Sequence, residues 1–302
     1  MVVIARLIAD ADVLSANSAA ALASLAGQGI SAKLDPSPSG AGLILTAEGD
    51  DVAAVRAVLD AQFMPSDMLF AGHLPEIPRV FVSDMDSTMI MAECIDELAD
   101  FAGIKPQIAA ITERAMQGEL DFVSALRERV ALLAGLPESA IAECLATRIA
   151  MMPGAKVLVE TLKAKGCRTV LVTGGFHQFA DPVAEELGFE RVVANRLEIA
   201  DGRLTGGLVG SIVDSGIKRA VLLEEASRLG KGAISLATGD GANDIPMIEA
   251  ATYGIAFDAK PKARAAADGW IDRGNLTGVL DLLGIDQRDW IWEYIFNSFP
   301  PG

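Results

Sequence analysis

From Arg79 onward, short apolar runs rich in β-branched residues alternate with helical segments. The runs are RVFVSD (79–84), CRTVLVTGG (167–175), RVVAN (191–195), AISLATGDG (233–241) and TYGIAFD (252–258). Each ends in Asp, Thr, Asn or Gly. Such alternation predicts a doubly wound, Rossmann-like parallel sheet covered by helices on both faces, an α/β fold. In that architecture ligands bind beyond the carboxyl ends of the strands. Three of the predicted ends carry unusual residues: Asp84 and Asp86, then Thr173-Gly174-Gly175, then Asp240.

Composition supports an α/β enzyme. Of 302 residues, 51% are hydrophobic and only 5% aromatic. The formal charge of −16 argues against a nucleic-acid partner, which would require a basic surface. An anionic small molecule stays compatible, provided a metal or a few placed cations reverse the sign locally. Cys94, Cys144 and Cys167 are widely spaced and form no CxxC pair, which predicts reduced structural thiols. The N-terminus meets Asp10 and Asp12 too early for a signal peptide, and no run approaches a membrane span of about 20 apolar residues. A cytoplasmic protein is expected.

Residues 1–72 read as strand, helix, strand, strand, helix, a pattern similar to ferredoxin-like or ACT-type α+β domains. Ser15 or Asn17 is the expected cap of the first helix. The stretch FAGHLPEIP, with Pro75 and Pro78, reads as a linker to a second domain over 79–285. Residues 91–152 are helical throughout, too long for one crossover, and are expected to cap the strand ends. ANRLEIADGRLTGGLVG predicts a β-hairpin turning at Asp201-Gly202. The tail 286–302 holds Trp290 and Trp292 and is expected to dock on its own domain or on a second copy in a homodimer.

Asp84 and Asp86 raise an energetic question, since adjacent carboxylates repel and each is costly to bury. The stretch ATGDGANDIPM adds Asp240, Asn243 and Asp244. Four carboxylates converging on one sheet edge form the oxygen-ligand environment that Mg²⁺ prefers. Asp244 also suits a helix N-cap, because Pro246 follows in the first turn. Glycines flank Asp240 and permit close backbone approach to a ligand. Thr173 and the Gly174 amide suit phosphate oxygens. Lys218 is anomalous in a first helical turn, where a cation is disfavoured, and is a candidate phosphate partner. Further along, Phe122, Ala125, Leu126, Val130 and Leu133 share one helical face, and Arg129 falls on the same face. An arginine there either snorkels or meets an anion.

Taken in order, DxDxT, TGG, Lys218 and GDGxND closely resemble the haloacid dehalogenase superfamily over residues 79–285. The segments DMDSTMIMAECIDELA, RAMQGELDFVSALRERVALLAGL and VTGGFHQFA bring the chain close to its phosphoserine phosphatase family. The resemblance implies Mg²⁺-dependent hydrolysis of a small phosphomonoester, O-phosphoserine, through an aspartyl-phosphate. It implies Asp84 as nucleophile and Asp86 as general acid and base. Mg²⁺ would be held by the Asp84 side chain, the Asp86 backbone carbonyl and Asp240, with Asp244 behind them. Thr173, Gly174, Lys218 and Asn243 would hold the phosphoryl group. Arg129 would meet the substrate carboxylate and Glu93 its ammonium, with Met116 and Phe122 as an apolar wall. Thr173 stands where the family usually shows serine, so the hydroxyl is kept in a slightly more crowded pocket. Three other readings remain open: a phosphatase or phosphotransferase for another small phosphomonoester, a moonlighting or sensor role for the N-terminal domain, and a phospho-receiver signalling domain. Against the last stand Asp86 and the cap, because a long-lived acyl phosphate has no use for an acid/base or a closed pocket.

Overall fold

The computed structural model describes residues 2–116 and 119–292. It begins with β1 (Val2–Ile8), α1 (Ala11–Gly27), β2 (Ala32–Pro36), β3 (Leu43–Glu48), α2 (Val52–Phe63) and β4 (Asp67–Ala71). β1 pairs antiparallel with both β3 and β4, and β3 with β2. This is the βαββαβ ferredoxin-like arrangement. Sequence reading misses its last strand: DMLFA is a buried run without alternation, and its final residues resemble the start of the linker. α1 begins at Ala11, so Ser15 and Asn17 lie inside the helix rather than capping it. Asn17 instead donates to the Gln62 carbonyl at 2.6 Å, tying α1 to α2.

The second part follows as β5 (Val80–Ser83), α3 (Cys94–Phe101), α4 (Lys105–Met116), α5 (Phe122–Ala131), α6 (Ser139–Arg148), α7 (Ala155–Ala164) and β6 (Arg168–Phe176). Next come α8 (His177–Leu187), β7 (Arg191–Ala200), β8 (Arg203–Val209), α9 (Ser215–Arg228) and β9 (Ser235–Gly239). α10 (Ile245–Ala250), β10 (Tyr253–Phe257), α11 (Pro261–Ala266), β11 (Gly269–Ile271) and α12 (Gly278–Leu283) complete it. Strands β11, β10, β9, β5, β6 and β7 lie side by side and run parallel. Numbered within this part, their order is 6-5-4-1-2-3, the doubly wound Rossmann order, with its switch point beside β5. The chain thus has the Rossmann-like α/β fold read from its strand pattern.

β11 was not legible, since three buried residues give no periodic signal. It joins the two parts. β4 pairs antiparallel with β11, so a single eleven-stranded sheet runs through the described residues. The core of the N-terminal part accordingly contains Trp270, Ala267 and Ala256 from the second part. Trp270 is fully buried, with the guanidinium of Arg56 4.5 Å and that of Arg264 4.0 Å from its ring. Arg264 also makes a bidentate pair with Asp60 of α2 at 2.8 and 2.9 Å.

Helices α3 to α6 form the insertion expected between 91 and 152. Its base is pinned where the chain leaves and returns: Met91 N–H donates to Ala150 O and Met152 N–H to Met89 O, both at 2.9 Å. The hairpin of β7 and β8 turns at Asp201 and Gly202, both in the left-handed region. Trp290 is buried against its own domain and donates to Ile285 O at 3.0 Å, whereas Trp292 is exposed. The remainder of the aromatic tail, 293–302, lies outside the described residues. Among the described residues no helix is long and apolar enough to cross a membrane.

Candidate active site

The site lies at the carboxyl ends of β5, β6 and β9, around the switch point. β5 is a short, wholly buried strand, and Asp84 follows it directly. The Asp84 amide donates to Thr238 O at 3.0 Å, which continues the ladder to β9 one residue beyond the strand. A tight turn follows, with Met89 N–H donating to Met85 O at 2.8 Å and Ser87 in the left-handed region. That turn returns Asp86 toward the pocket beside Asp84.

Asp84 Oδ1 is held by Lys218 Nζ at 2.7 Å and by the Met85 amide at 2.7 Å. Lys218 also donates to Asp244 Oδ1 at 2.8 Å. Both Lys218 and Asp244 are buried. Burial alone would lower the Lys218 pKa, but the charges of Asp84 and Asp244 outweigh it and keep the ammonium charged. Burial and then Asp244 drive the Asp84 carboxyl well above its ordinary value, with Lys218 partly opposing them. This explains the lysine in a first helical turn: Asp214 caps α9 by accepting from Ile217 N–H, and Lys218 spans to two carboxylates.

Asp86 accepts from the Cys94 amide at 3.0 Å and from the Thr173 hydroxyl at 3.4 Å. Burial, followed by the nearby Glu93 charge, pushes its pKa up to about 6. A Cβ on Gly175 would lie 2.8 Å from Asp86 Oδ2, so only glycine leaves room for the carboxylate. Asp244 stands at the N-cap position of α10, yet its side chain caps nothing. Its oxygens are committed to Lys218 and, at 3.1 Å, to the Gly241 amide. A Cβ at Gly239 would collide with that carboxyl group. The helix-cap reading of Asp244 is therefore corrected: Pro246 offers no N–H, the Met247 amide already donates to Asp244 O at 2.9 Å, and the carboxylate turns inward to a buried ammonium.

One cavity of about 200 Å³ is lined by Asp84, Asp86, Thr173, Gly174, Asp240 and Asn243 from the sheet side, and by Glu93, Phe122 and Arg129 from the insertion. Met116 ends α4, and its side chain lies outside the described residues. Ser87 Oγ donates to Glu93 Oε1 at 2.9 Å, which holds Glu93 at the rim. Lys260 also lines the cavity, 3.5 Å from Asp240 Oδ2, and sequence reading passed over it. A signal existed: Lys260 follows the carboxyl end of β10, where the same strand-end rule applies. Asn195 was likewise missed as a site residue. It donates to Gly174 O at 2.7 Å from the middle of β7.

The carboxylate oxygens of Asp84, Asp240 and Asp244 come within 4.8 Å of one another. Burial pushes Asp240 up to about 6 despite the opposing charge of Lys260. Among the buried charged groups at the site, three carboxylates (Asp84, Asp240, Asp244) face one ammonium (Lys218). Two excess negative charges in a buried setting suit a divalent cation, and an all-oxygen donor set suits Mg²⁺.

A family model described as haloacid dehalogenase-like hydrolase matches residues 81–249, and a second of the same description matches 228–283. Phosphoserine phosphatase SerB2 of Mycobacterium tuberculosis is 48% identical over 212 residues, covering 70% of this chain and 52% of that protein. The phosphoserine phosphatase of Streptococcus thermophilus is 47% identical over 211 residues, covering 70% of this chain and 98% of that protein. The chain thus spans about half the length of the first relative and nearly all of the second. Among solved structures, a phospho-aspartyl intermediate analogue of phosphoserine phosphatase superposes with a TM-score of 0.62 at 36% identity, covering 68% of this chain and 99% of that one. A probable phosphoserine phosphatase from Vibrio cholerae reaches a TM-score of 0.72 at 29% identity over 97% of this chain and 90% of its own. With its DxDxT turn, its capped strand ends and this degree of identity, the chain belongs to the phosphoserine phosphatase family of the haloacid dehalogenase-like hydrolases.

Proposed function

We propose that this protein hydrolyses O-phosphoserine to serine and phosphate, in the cytoplasm, with Mg²⁺ bound at the acidic cluster. The observation that carries the substrate assignment is the pairing of opposite charges across one cavity. Thr173, Gly174 and Asp84 line its sheet side, and Arg129 and Glu93 line its cap side. A ligand with a phosphate at one end and both carboxylate and ammonium at the other matches that distribution. Buried free thiols at Cys94, Cys144 and Cys167 suit a reducing compartment.

Asp84 attacks phosphorus, and the bond from phosphorus to the seryl oxygen breaks. Asp86 gives its proton to the departing oxygen, a role served by a pKa of about 6. Water then attacks the aspartyl-phosphate, Asp86 takes back a proton, and the Asp84 carboxylate is released with inorganic phosphate. Asp84, Asp240 and the Asp86 carbonyl would hold Mg²⁺, which supplies positive charge for the phosphoryl oxygens. Thr173, the Gly174 amide, Lys218 and Asn243 stabilise the transferring group. The two carboxylates of the DxD turn divide the labour: Asp84 attacks as an anion, which Lys218 at 2.7 Å and a bound cation would favour against its burial, while Asp86 carries the proton.

The test is phosphate release with and without Mg²⁺ across phosphoserine, phosphothreonine, phosphoethanolamine and sugar phosphates. Phosphoserine should give the highest kcat/KM. A sugar phosphate outranking it would overturn the substrate assignment.

A further inference from the structure

We infer that Asn195 is a positioning residue for phosphoryl binding, acting as the clamp that joins the Thr173-Gly174-Gly175 segment to the helix carrying Lys218. The inference rests on the phosphatase reading above but not on which phosphomonoester is the substrate. Pairing between β6 and β7 is regular from Val170 to Val172 and resumes only at Phe176, opposite Asn195. The segment between them, Thr173 to Gly175, leaves the ladder to line the cavity. Asn195 is 2% exposed, and its side chain fills that break.

The Asn195 Nδ2 donates to Gly174 O at 2.7 Å, and its Oδ1 accepts from Val213 N–H at 2.8 Å. The orientation of the amide is forced, because a carbonyl accepts only and a backbone N–H donates only. At the other end of the same peptide unit, Gly175 N–H donates to Thr173 Oγ1 at 2.8 Å. The Gly174–Gly175 peptide is therefore held at both its oxygen and its hydrogen. Two successive glycines would otherwise leave this segment with wide backbone freedom. Val213 directly precedes Asp214, the N-cap of α9, and Lys218 lies on the first turn of that helix. One buried amide thus sets the spacing between the Gly174 backbone and the Lys218 ammonium. No acidic or basic side chain takes part, so the clamp works without altering the charge of the site. Nor does Asn195 line the cavity, so it touches no substrate.

The test uses Asn195→Asp and Asn195→Ala in the full chain with Mg²⁺. Asn195→Asp keeps the size and the acceptor for Val213 but sets an oxygen against Gly174 O. Both variants should bind inorganic phosphate and orthovanadate tenfold or more weakly, read as inhibition constants. kcat/KM should fall by a common factor for phosphoserine and phosphoethanolamine, leaving the ratio between them unchanged. A merely structural Asn195 would lower Tm while leaving both inhibition constants at wild-type values well below Tm, and that result overturns the inference. Failure of both variants to fold would count the same way. A wild-type enzyme that prefers another phosphomonoester but binds both anions overturns the substrate assignment and leaves Asn195 testable by the same constants.

Discussion

Arg129 gives the sharpest test of substrate identity. It sits on α5 with Ala125, Leu126 and Val130, which are buried, and it faces the cavity. Its one hydrogen bond among the described residues is a long one, Nε to Ala125 O at 3.4 Å. Glu93 and Asp96 influence it only through space. The guanidinium thus has donors to spare for a carboxylate, and Arg129→Ala removes a charge-assisted contact worth about 1.5–3 kcal/mol. At about 1.4 kcal/mol per decade, kcat/KM for phosphoserine should fall roughly 10–150-fold. The loss should nearly vanish for phosphoethanolamine, which lacks the carboxylate, and for p-nitrophenyl phosphate, which lacks both handles. Glu93→Gln should instead penalise the two amine-bearing substrates. Steady-state phosphate release on all three substrates decides the matter. Equal losses on all three would mean that Arg129 only packs the cap, and the reasoning would be refuted.

Three further outcomes follow from the same geometry. Asp84→Asn should lower turnover by on the order of 10⁴-fold or more while circular dichroism stays native, and appreciable residual activity would exclude the covalent route. Chelation should abolish activity. Asp240→Ala should raise the Mg²⁺ concentration for half-maximal rate far more than Asp244→Ala, whose carboxylate is committed to Lys218 and Gly241 and should cost roughly 10–100-fold; equal rates with chelator and with Mg²⁺ would contradict this. Asp67 concerns stability: burial raises its pKa to about 6, although the Asp272 and Arg273 amides oppose this. The folded state then binds the proton more tightly than the unfolded chain, so this contribution is full below about pH 4 and is lost as pH rises through about 6. The loss amounts to about 3 kcal/mol. Denaturant unfolding between pH 4 and 8 should show a smaller decline for Asp67→Asn than for wild type, and identical slopes would disprove it.

The parts of the fold that repeat a pattern were legible, and the parts that join them were not. β5, β6, β9 and β10 announce themselves as apolar runs that end in polar residues, because strands buried on both faces need apolar side chains throughout, and the partly buried β7 opens on a similar run. β4 is as long as β9 and β10, but it starts on a charged residue and runs straight into the FAGHLPEIP stretch, whereas β11 is only three residues long. A run that short fits a strand, a helix turn or a buried loop equally well. Their pairing needs residues some 200 positions apart to meet, Leu69 opposite Gly269 and Asp67 opposite Ile271, and no local preference encodes such a meeting. The sandwich of Arg56, Trp270 and Arg264 is of the same kind, formed across the seam between the two parts.

Within the site, legibility followed charge. Asp84, Asp86, Asp240 and Lys218 stood out because a charged group at a buried strand end or in an adverse helix turn demands an explanation, and the demand itself points to a partner. Asp244 offered two explanations, a helix cap and a place behind the metal ligands, and the sequence left both open. Only the structure reveals Lys218 Nζ at 2.8 Å from its carboxylate, a contact between buried charges that takes the side chain away from the helix end. Asn195 is harder still, since a neutral amide at the end of an apolar run is ordinary. Its importance arises from the ladder break between Val172 and Phe176, a property of the pairing of β6 with β7 and of neither strand alone. The residues that do chemistry are thus readable from the cost of their charge. Those that hold them in place become visible only when each buried backbone group is followed to its partner.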